Sequence, residues 1–117
     1  MDYEKIVEAA RREAFRSTYK FRLGSIIHFR GVIAGRGYNE PRKTHPDAPT
    51  PYWTRCAEFN AYLDALRRGC DIDDFRRAEI YTHRIKKDGS PGLAKPCKWC
   101  EEFIARIGIK KVEYSKG

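Results

Sequence analysis

A chain of 117 residues and 13.6 kDa has material for one hydrophobic core, so residues 1–117 are read as a single domain. Its hydrophobic content is 41%, and no apolar run approaches the roughly 20 residues that cross a bilayer, which argues against a membrane-spanning class and predicts a soluble protein. Twenty-four Lys and Arg against 16 Asp and Glu leave a net charge of +8, which favours an anionic partner such as a nucleotide, DNA or RNA.

Tyr3, Ile6, Val7, Ala10 and Ala14 recur at helical intervals, so residues 3–16 are predicted as an amphipathic helix covering a sheet. This segment has neither the apolar run nor the cleavage site of a secretory signal, so an intracellular, reducing, cytoplasmic setting is expected. In that setting four cysteines including one C-x-x-C pair read as metal ligands or reactive thiols rather than a disulfide framework. Leu23–Phe29 and Val32–Arg36 are strand-like runs joined near Arg30-Gly31, the spacing of a tight hairpin. Residues 37–54 carry four of the six prolines and are predicted as a loop, because proline removes the backbone donors a helix or central strand needs.

Helical spacing returns over Cys56–Arg68, with Phe59, Tyr62, Leu63 and Leu66 as the apolar stripe and Gly69 as the stop. Arg77–Ile85 reads as a strand and KKDGSPG as a turn-rich loop. The last helix is expected to start at Pro96-Cys97, where a proline costs no helical hydrogen bond, with Trp99, Phe103, Ile104 and Ile107 inside and Gly108 ending it. Ile109–Tyr114 follows as a strand. The order helix, two strands, loop, helix, strand, helix, strand predicts an α/β protein layered around a mixed sheet.

Two motifs carry chemistry: Cys56-Ala57-Glu58 and Pro96-Cys97-Lys98-Trp99-Cys100, each at a predicted helix start. The positive end of the helix dipole favours the thiolate, the form that binds Zn²⁺. Cys97 and Cys100 lie on one face of a first turn and can reach one ion about 2.3 Å away; Cys56 would add a third sulfur and leave the fourth tetrahedral position for water. Glu58 is of the type that moves a proton between water and a base. Cys70 would make a Cys₄ structural site only with a ligand spacing unlike a zinc knuckle, and is read as an inert thiol. A thiol redox protein built on Cys97-Lys98-Trp99-Cys100 is a competing reading that leaves Cys56-Ala57-Glu58 unexplained.

CAEFNAYLDAL and PCKWC resemble the H/C-A-E and P-C-x-x-C helices of the cytidine and deoxycytidylate deaminase superfamily, the zinc-dependent nucleoside, nucleotide and nucleic-acid deaminases. The resemblance covers most of the chain and implies a three-layer cytidine-deaminase-like fold with a mixed four- to five-stranded sheet covered by helices. It implies Zn²⁺ on Cys56, Cys97 and Cys100, Glu58 as proton shuttle, Asn39 of Gly37-Tyr38-Asn39 at the substrate sugar, and the Ala57 backbone at the base edge. The reaction implied is hydrolytic loss of ammonia from a cytosine base of cytidine, deoxycytidine or deoxycytidylate. A homo-oligomer is also implied, because neighbouring subunits often complete such sites. Three cysteines are more like the free-cytidine and blasticidin-type branch, whereas Gly37-Tyr38-Asn39 and Lys43-Thr44-His45-Pro46 look more like the deoxycytidylate branch.

Other residues carry two readings each. His45 is either a substrate contact or a solvated loop histidine. Trp53 can stack a base, whereas Trp99 is expected in the core between the ligands. Arg36, Arg42 and Lys43 either grip phosphate or are solvated charge. Single-stranded DNA or RNA is the alternative substrate class, and a non-catalytic zinc module binding nucleic acid is the alternative to an enzyme.

Overall fold

The computed structural model describes residues 3–41 and 54–117. Helix α1 (Tyr3–Arg16) leads into β1 (Arg22–Phe29) and β2 (Val32–Tyr38), then the two-residue strands β3 (Glu40–Pro41) and β4 (Thr54–Arg55). Helix α2 (Ala57–Arg67), a 3-10 turn (Asp74–Arg77), β5 (Glu79–Ile85), β6 (Pro91–Gly92), α3 (Lys98–Arg106) and β7 (Lys111–Tyr114) complete it. Arg30 and Gly31 join β1 to β2 with φ of 48° and 93°, the left-handed pair whose twist matches a two-residue hairpin.

β1 is central, antiparallel to β2 on one edge and to β5 on the other. The far edge of β5 is shared: residues 79–82 pair in parallel with β7, and Arg84 and Ile85 pair antiparallel with β6. Ser115 closes the junction, its Oγ donating to Gly92 O and accepting from Arg84 N at 2.7 and 2.9 Å. The result is a five-stranded mixed sheet with helices on both faces, as expected for a cytidine-deaminase-like fold.

Because side chains alternate along a strand, neighbours in β1 serve opposite layers. Ile26 faces α1 and packs with Ile6, Ala9, Ala10 and Tyr81. Ile27 faces the other helices and packs with Phe59, Ala61, Ala65, Phe75, Ile80, Phe103 and Ile104. Burying a side chain such as Phe59 or Phe75, both fully inaccessible, stabilises the fold by about 1.5–3 kcal/mol. α2 lies unusually close to β2: a Cβ at Gly37 would stand 2.7 Å from Ala57 O, and one at Gly35 2.9 Å from Ala65 N. These glycines let the sheet set the position of the helix that begins the site.

Four sequence expectations need adjusting. β2 runs to Tyr38 rather than Arg36, because Ser25 and Gly24 continue its ladder against Gly37 and Tyr38. The predicted loop 37–54 is therefore strand at its start, and its Glu40–Pro41 and Thr54–Arg55 pair as a small second sheet. β5 starts at Glu79, since Asp71 and Asp74 exchange side-chain bonds with each other's backbone N–H and hold a 3-10 turn before it. Within KKDGSPG, Gly89 (φ 86°) turns the chain so that Pro91–Gly92 joins the sheet.

Helix interiors also differ from the predicted stripes. Trp99 is 43% exposed, while Cys100, Phe103 and Ile104 are buried. Ile107 adds a half-buried side, so the inner face follows the spacing 100, 103, 104, 107 and Trp99 falls one position off it. On α2 the face against the sheet is Ala57, Ala61 and Ala65, small residues matched to Gly35 and Gly37, and Leu66 points outward.

Candidate active site

Both motifs sit where the sequence places them, at helix starts. Cys56 is the N-cap of α2 with extended backbone (φ −71°, ψ 155°), and its carbonyl accepts from Asn60 N at 3.1 Å. Asn60 fixes this end in place: its Nδ2 donates to Tyr38 O at 2.7 Å and its Oδ1 accepts from Arg55 Nε at 2.8 Å. Cys97 is the N-cap of α3 (φ −68°, ψ 166°), with its carbonyl accepting from Glu101 N at 2.8 Å. The contact of Phe59 on α2 with Phe103 on α3, ring centroids 5.4 Å apart, holds the two helices together behind the thiols.

The Sγ atoms of Cys56 and Cys100 and a carboxyl oxygen of Glu58 lie within 4.8 Å of one another. Cys100 and Glu58 are buried and Cys56 is half-buried. Cys97 stands outside that 4.8 Å group and is exposed, but its charge acts on Cys100 and it lines the same cavity as Cys56. Two thiols and a carboxyl gathered within 4.8 Å, with a third thiol adjacent, suit a borderline-soft ion such as Zn²⁺. Cys56, Cys97 and Cys100 are the residues that would hold it, with Glu58 beside them.

Burial pushes the Glu58 carboxyl up to about 7, where it gives and takes protons near neutrality. No Lys or Arg forms an ion pair with it among the described residues. At Cys100 the hydrogen bond shared with Cys56, then burial, push the thiol far above its usual range, the reverse of the lowering expected from the helix dipole. At Cys100 the neighbouring Cys56, burial, Glu58 and Cys97 all disfavour the thiolate, and a bound cation inverts that balance.

A cavity of ≈ 460 Å³ opens over Cys56 and Cys97. Asn39 lines it, with Nδ2 donating to Phe21 O at 2.6 Å and Oδ1 accepting from Leu23 N at 2.9 Å, so its amide anchors the start of β1 as a cavity wall. Ala57 is fully buried in the first turn of α2. Arg36 is exposed on β2, away from this lining. His45, Trp53, Arg42 and Lys43 lie outside the described residues. Cys70 packs against the core beyond α2, and burial followed by Asp74 and Asp71 pushes its thiol up, which suits an inert role.

Sequence reasoning passed over part of the lining: Tyr19, Phe21, Arg84 and Lys95. Nothing local marks them. Arg84 reaches the cavity only through the pairing of β5 with β1 and β6, and strand register is not visible in a single basic residue.

Helix-start thiols meeting a buried glutamate on a mixed sheet define the architecture of zinc-dependent deaminases. The chain belongs to that family: the family model for the cytidine and deoxycytidylate deaminase zinc-binding region matches residues 1–116. Among solved structures it is similar in fold to the deoxycytidylate deaminase of cyanophage S-TIM5, at 24% identity, TM-score 0.69, covering 97% of this chain and 83% of that one. The cytidine deaminase of Burkholderia pseudomallei aligns at 19% identity and TM-score 0.70, again over 97% and 83%. The guanine deaminase of Bacillus subtilis aligns at 19% identity and TM-score 0.64, over 99% of this chain and 65% of that one. A search of curated proteins finds no match. No helix among the described residues is long and apolar enough to cross a membrane.

Proposed function

We propose that the protein is a zinc-dependent hydrolytic deaminase acting on a cytosine base, as cytidine, deoxycytidine or deoxycytidylate, and releasing ammonia to give the uracil product. The observation that carries this reading is the placement of Glu58: a buried carboxyl within 4.8 Å of the thiols of Cys56 and Cys100, with Cys56 also lining the cavity. Cys56, Cys97 and Cys100 would hold the ion. Bound there, zinc supplies the Lewis acidity that activates a water for attack on the ring carbon bearing the amine.

Glu58 would take one proton from the attacking water and deliver it to the ring nitrogen N3, then take the second from the added hydroxyl and deliver it to the amine, which leaves as ammonia as the carbonyl of the product forms. A carboxyl placed beside the attacking water and the ring can both accept and return a proton, so one group serves both directions. The Ala57 backbone meets the base edge, and Asn39 stands at the sugar while holding the cavity wall. His45 and Trp53 are further substrate contacts in this proposal, carried by the sequence alone.

The test is ammonia release by zinc-loaded protein from cytidine, deoxycytidine, deoxycytidylate, guanine, adenosine and single-stranded DNA and RNA. Turnover of a monomeric cytosine compound supports the reading. Turnover confined to guanine, adenosine or a strand transfers the site to another base or polymer, and silence throughout with zinc bound favours a non-catalytic zinc module.

A further inference from the structure

Arg84 is the polar group that the mechanism above does not use. It leaves β5 beside the cavity, its backbone N–H donating to Ser115 Oγ at 2.9 Å. Its side chain lies flat over Gly92: a Cβ there would come within 3.1 and 3.2 Å of Arg84 Cδ and Cγ, so the glycine makes room for it. The guanidinium stands 5.1 Å from the centroid of the Phe21 ring, which is itself 45% exposed.

Among the described residues, Arg84 Nε is the buried side-chain nitrogen or oxygen left without a hydrogen-bond partner. No carboxylate pairs with the guanidinium there either. Among the described residues its cavity is lined by no acidic side chain, and Lys95 is the other charged group on the wall. Folded proteins rarely leave a buried donor on a cation unsatisfied, because its desolvation goes uncompensated until an acceptor arrives. Arg84 lines the cavity that Cys56 and Cys97 also line, and the planar fork of donors that arginine presents suits a phosphate entering there.

We propose that Arg84, with Lys95 beside it, binds the phosphate of the substrate and sets its class, so that the site selects a nucleoside monophosphate over the uncharged nucleoside. This rests on the deaminase reading for the identity of the base but not for the preference itself. Phe21 and Leu93 form the apolar flank of the same wall, and the Phe21 ring faces the guanidinium. A cavity of ≈ 460 Å³ with Arg84 on its wall fits one nucleotide better than a continuous strand, whose phosphodiesters would lie along an open surface.

The test is calorimetric titration of the zinc-loaded Glu58→Ala protein, which cannot consume its ligand, with deoxycytidine, deoxycytidylate, adenosine, adenylate and a short oligodeoxycytidine without terminal phosphate. Deoxycytidylate is expected to bind ~10- to 100-fold more tightly than deoxycytidine, the range for a hydrogen bond to a charged group. Arg84→Gln should abolish that ratio while leaving deoxycytidine affinity and the melting temperature near their starting values, and Arg84→Lys should restore part of it. Equal affinities for nucleoside and nucleotide, equal losses for both in Arg84→Gln, tighter binding of the oligonucleotide, or no binding of any compound would overturn the proposal. A monophosphate preference seen only with the adenine pair would uphold Arg84 and sink the cytosine reading.

Discussion

The α1 face of the sheet and the surroundings of the cavity treat their ionisable groups differently. On the α1 face, Tyr3 Oη donates to Glu113 at 2.5 Å, Tyr81 Oη meets His83 Nδ1 at 2.9 Å, and Lys111 Nζ pairs with Glu79 at 2.8 Å. His28 Nδ1 lies 3.8 Å from Glu79 but accepts from Gly31 N at 3.0 Å, so that nitrogen carries a lone pair and the imidazole is neutral. Near the cavity the pattern reverses: a carboxyl crowded by thiols, a thiol pushed far up, and an arginine nitrogen with no partner. A polar group whose partners are inside the chain stabilises the fold, whereas one left wanting a partner marks where something else binds.

Core substitutions on the two faces should separate these roles most strongly. Phe59→Ala removes the ring that joins α2 to α3, and is expected to cost about 3–5 kcal/mol in denaturant unfolding and to weaken zinc retention in the protein that remains folded. Ile6→Ala on the α1 face should cost about 2–5 kcal/mol yet leave zinc affinity of the folded fraction unchanged. Equal loss of zinc affinity in both variants would erase the distinction.

A smaller effect is expected at the contact between β2 and α2. Gly37→Ala places a methyl against the backbone of Ala57 and Asn60, and should destabilise by about 1–3 kcal/mol. Because the displaced segment carries Cys56 and Glu58, turnover should fall by more than the folded population does, which parallel denaturation and kinetic curves would reveal.

Acidification gives the mildest test and probes the α1 face. Burial lowers the pKa of His28 first of all, with Lys111 adding to the lowering and Glu79 and Glu113 opposing it. Burial likewise lowers His83, with Arg11 adding and Glu8 opposing. Below the ordinary imidazole value of about 6.5 the unfolded chain therefore binds more protons than the folded one, and stability falls as pH drops towards the folded values. Glu58, raised to about 7 in the metal-free chain, acts with the opposite sign over the same range. A His28→Gln, His83→Gln variant should consequently lose less stability than the parent between pH 7 and 5, since the Glu58 contribution is common to both. A parent that loses no more than the variant would show that the imidazoles are not held neutral.

What the sequence made legible is local chemistry. Cys56-Ala57-Glu58 and Cys97-x-x-Cys100 could be read because a helix start fixes where three or four adjacent residues point, and the layered order of elements followed from their periodicity. The exposure of Trp99 was not legible, because a one-position rotation of a helix decides it and both tryptophan and cysteine suit an inner face. The cavity wall was also hidden. Asn39 reads as a sugar contact from its motif, but the side chain is also tied to Phe21 and Leu23, a clamp that exists only once β1 and β2 have paired. Arg84 gains its meaning from the register that lays it over Gly92 and against Phe21.

The most direct test of the central claim measures zinc content and ammonia release together for the wild type and Glu58→Ala, with deoxycytidylate as substrate. The expected result is equal zinc in both proteins and a turnover loss of roughly 10²–10⁴-fold in the variant, the share that a positioned general acid–base contributes. Zinc lost from the variant in step with activity would make Glu58 a ligand, and unchanged turnover would remove it from the chemistry altogether.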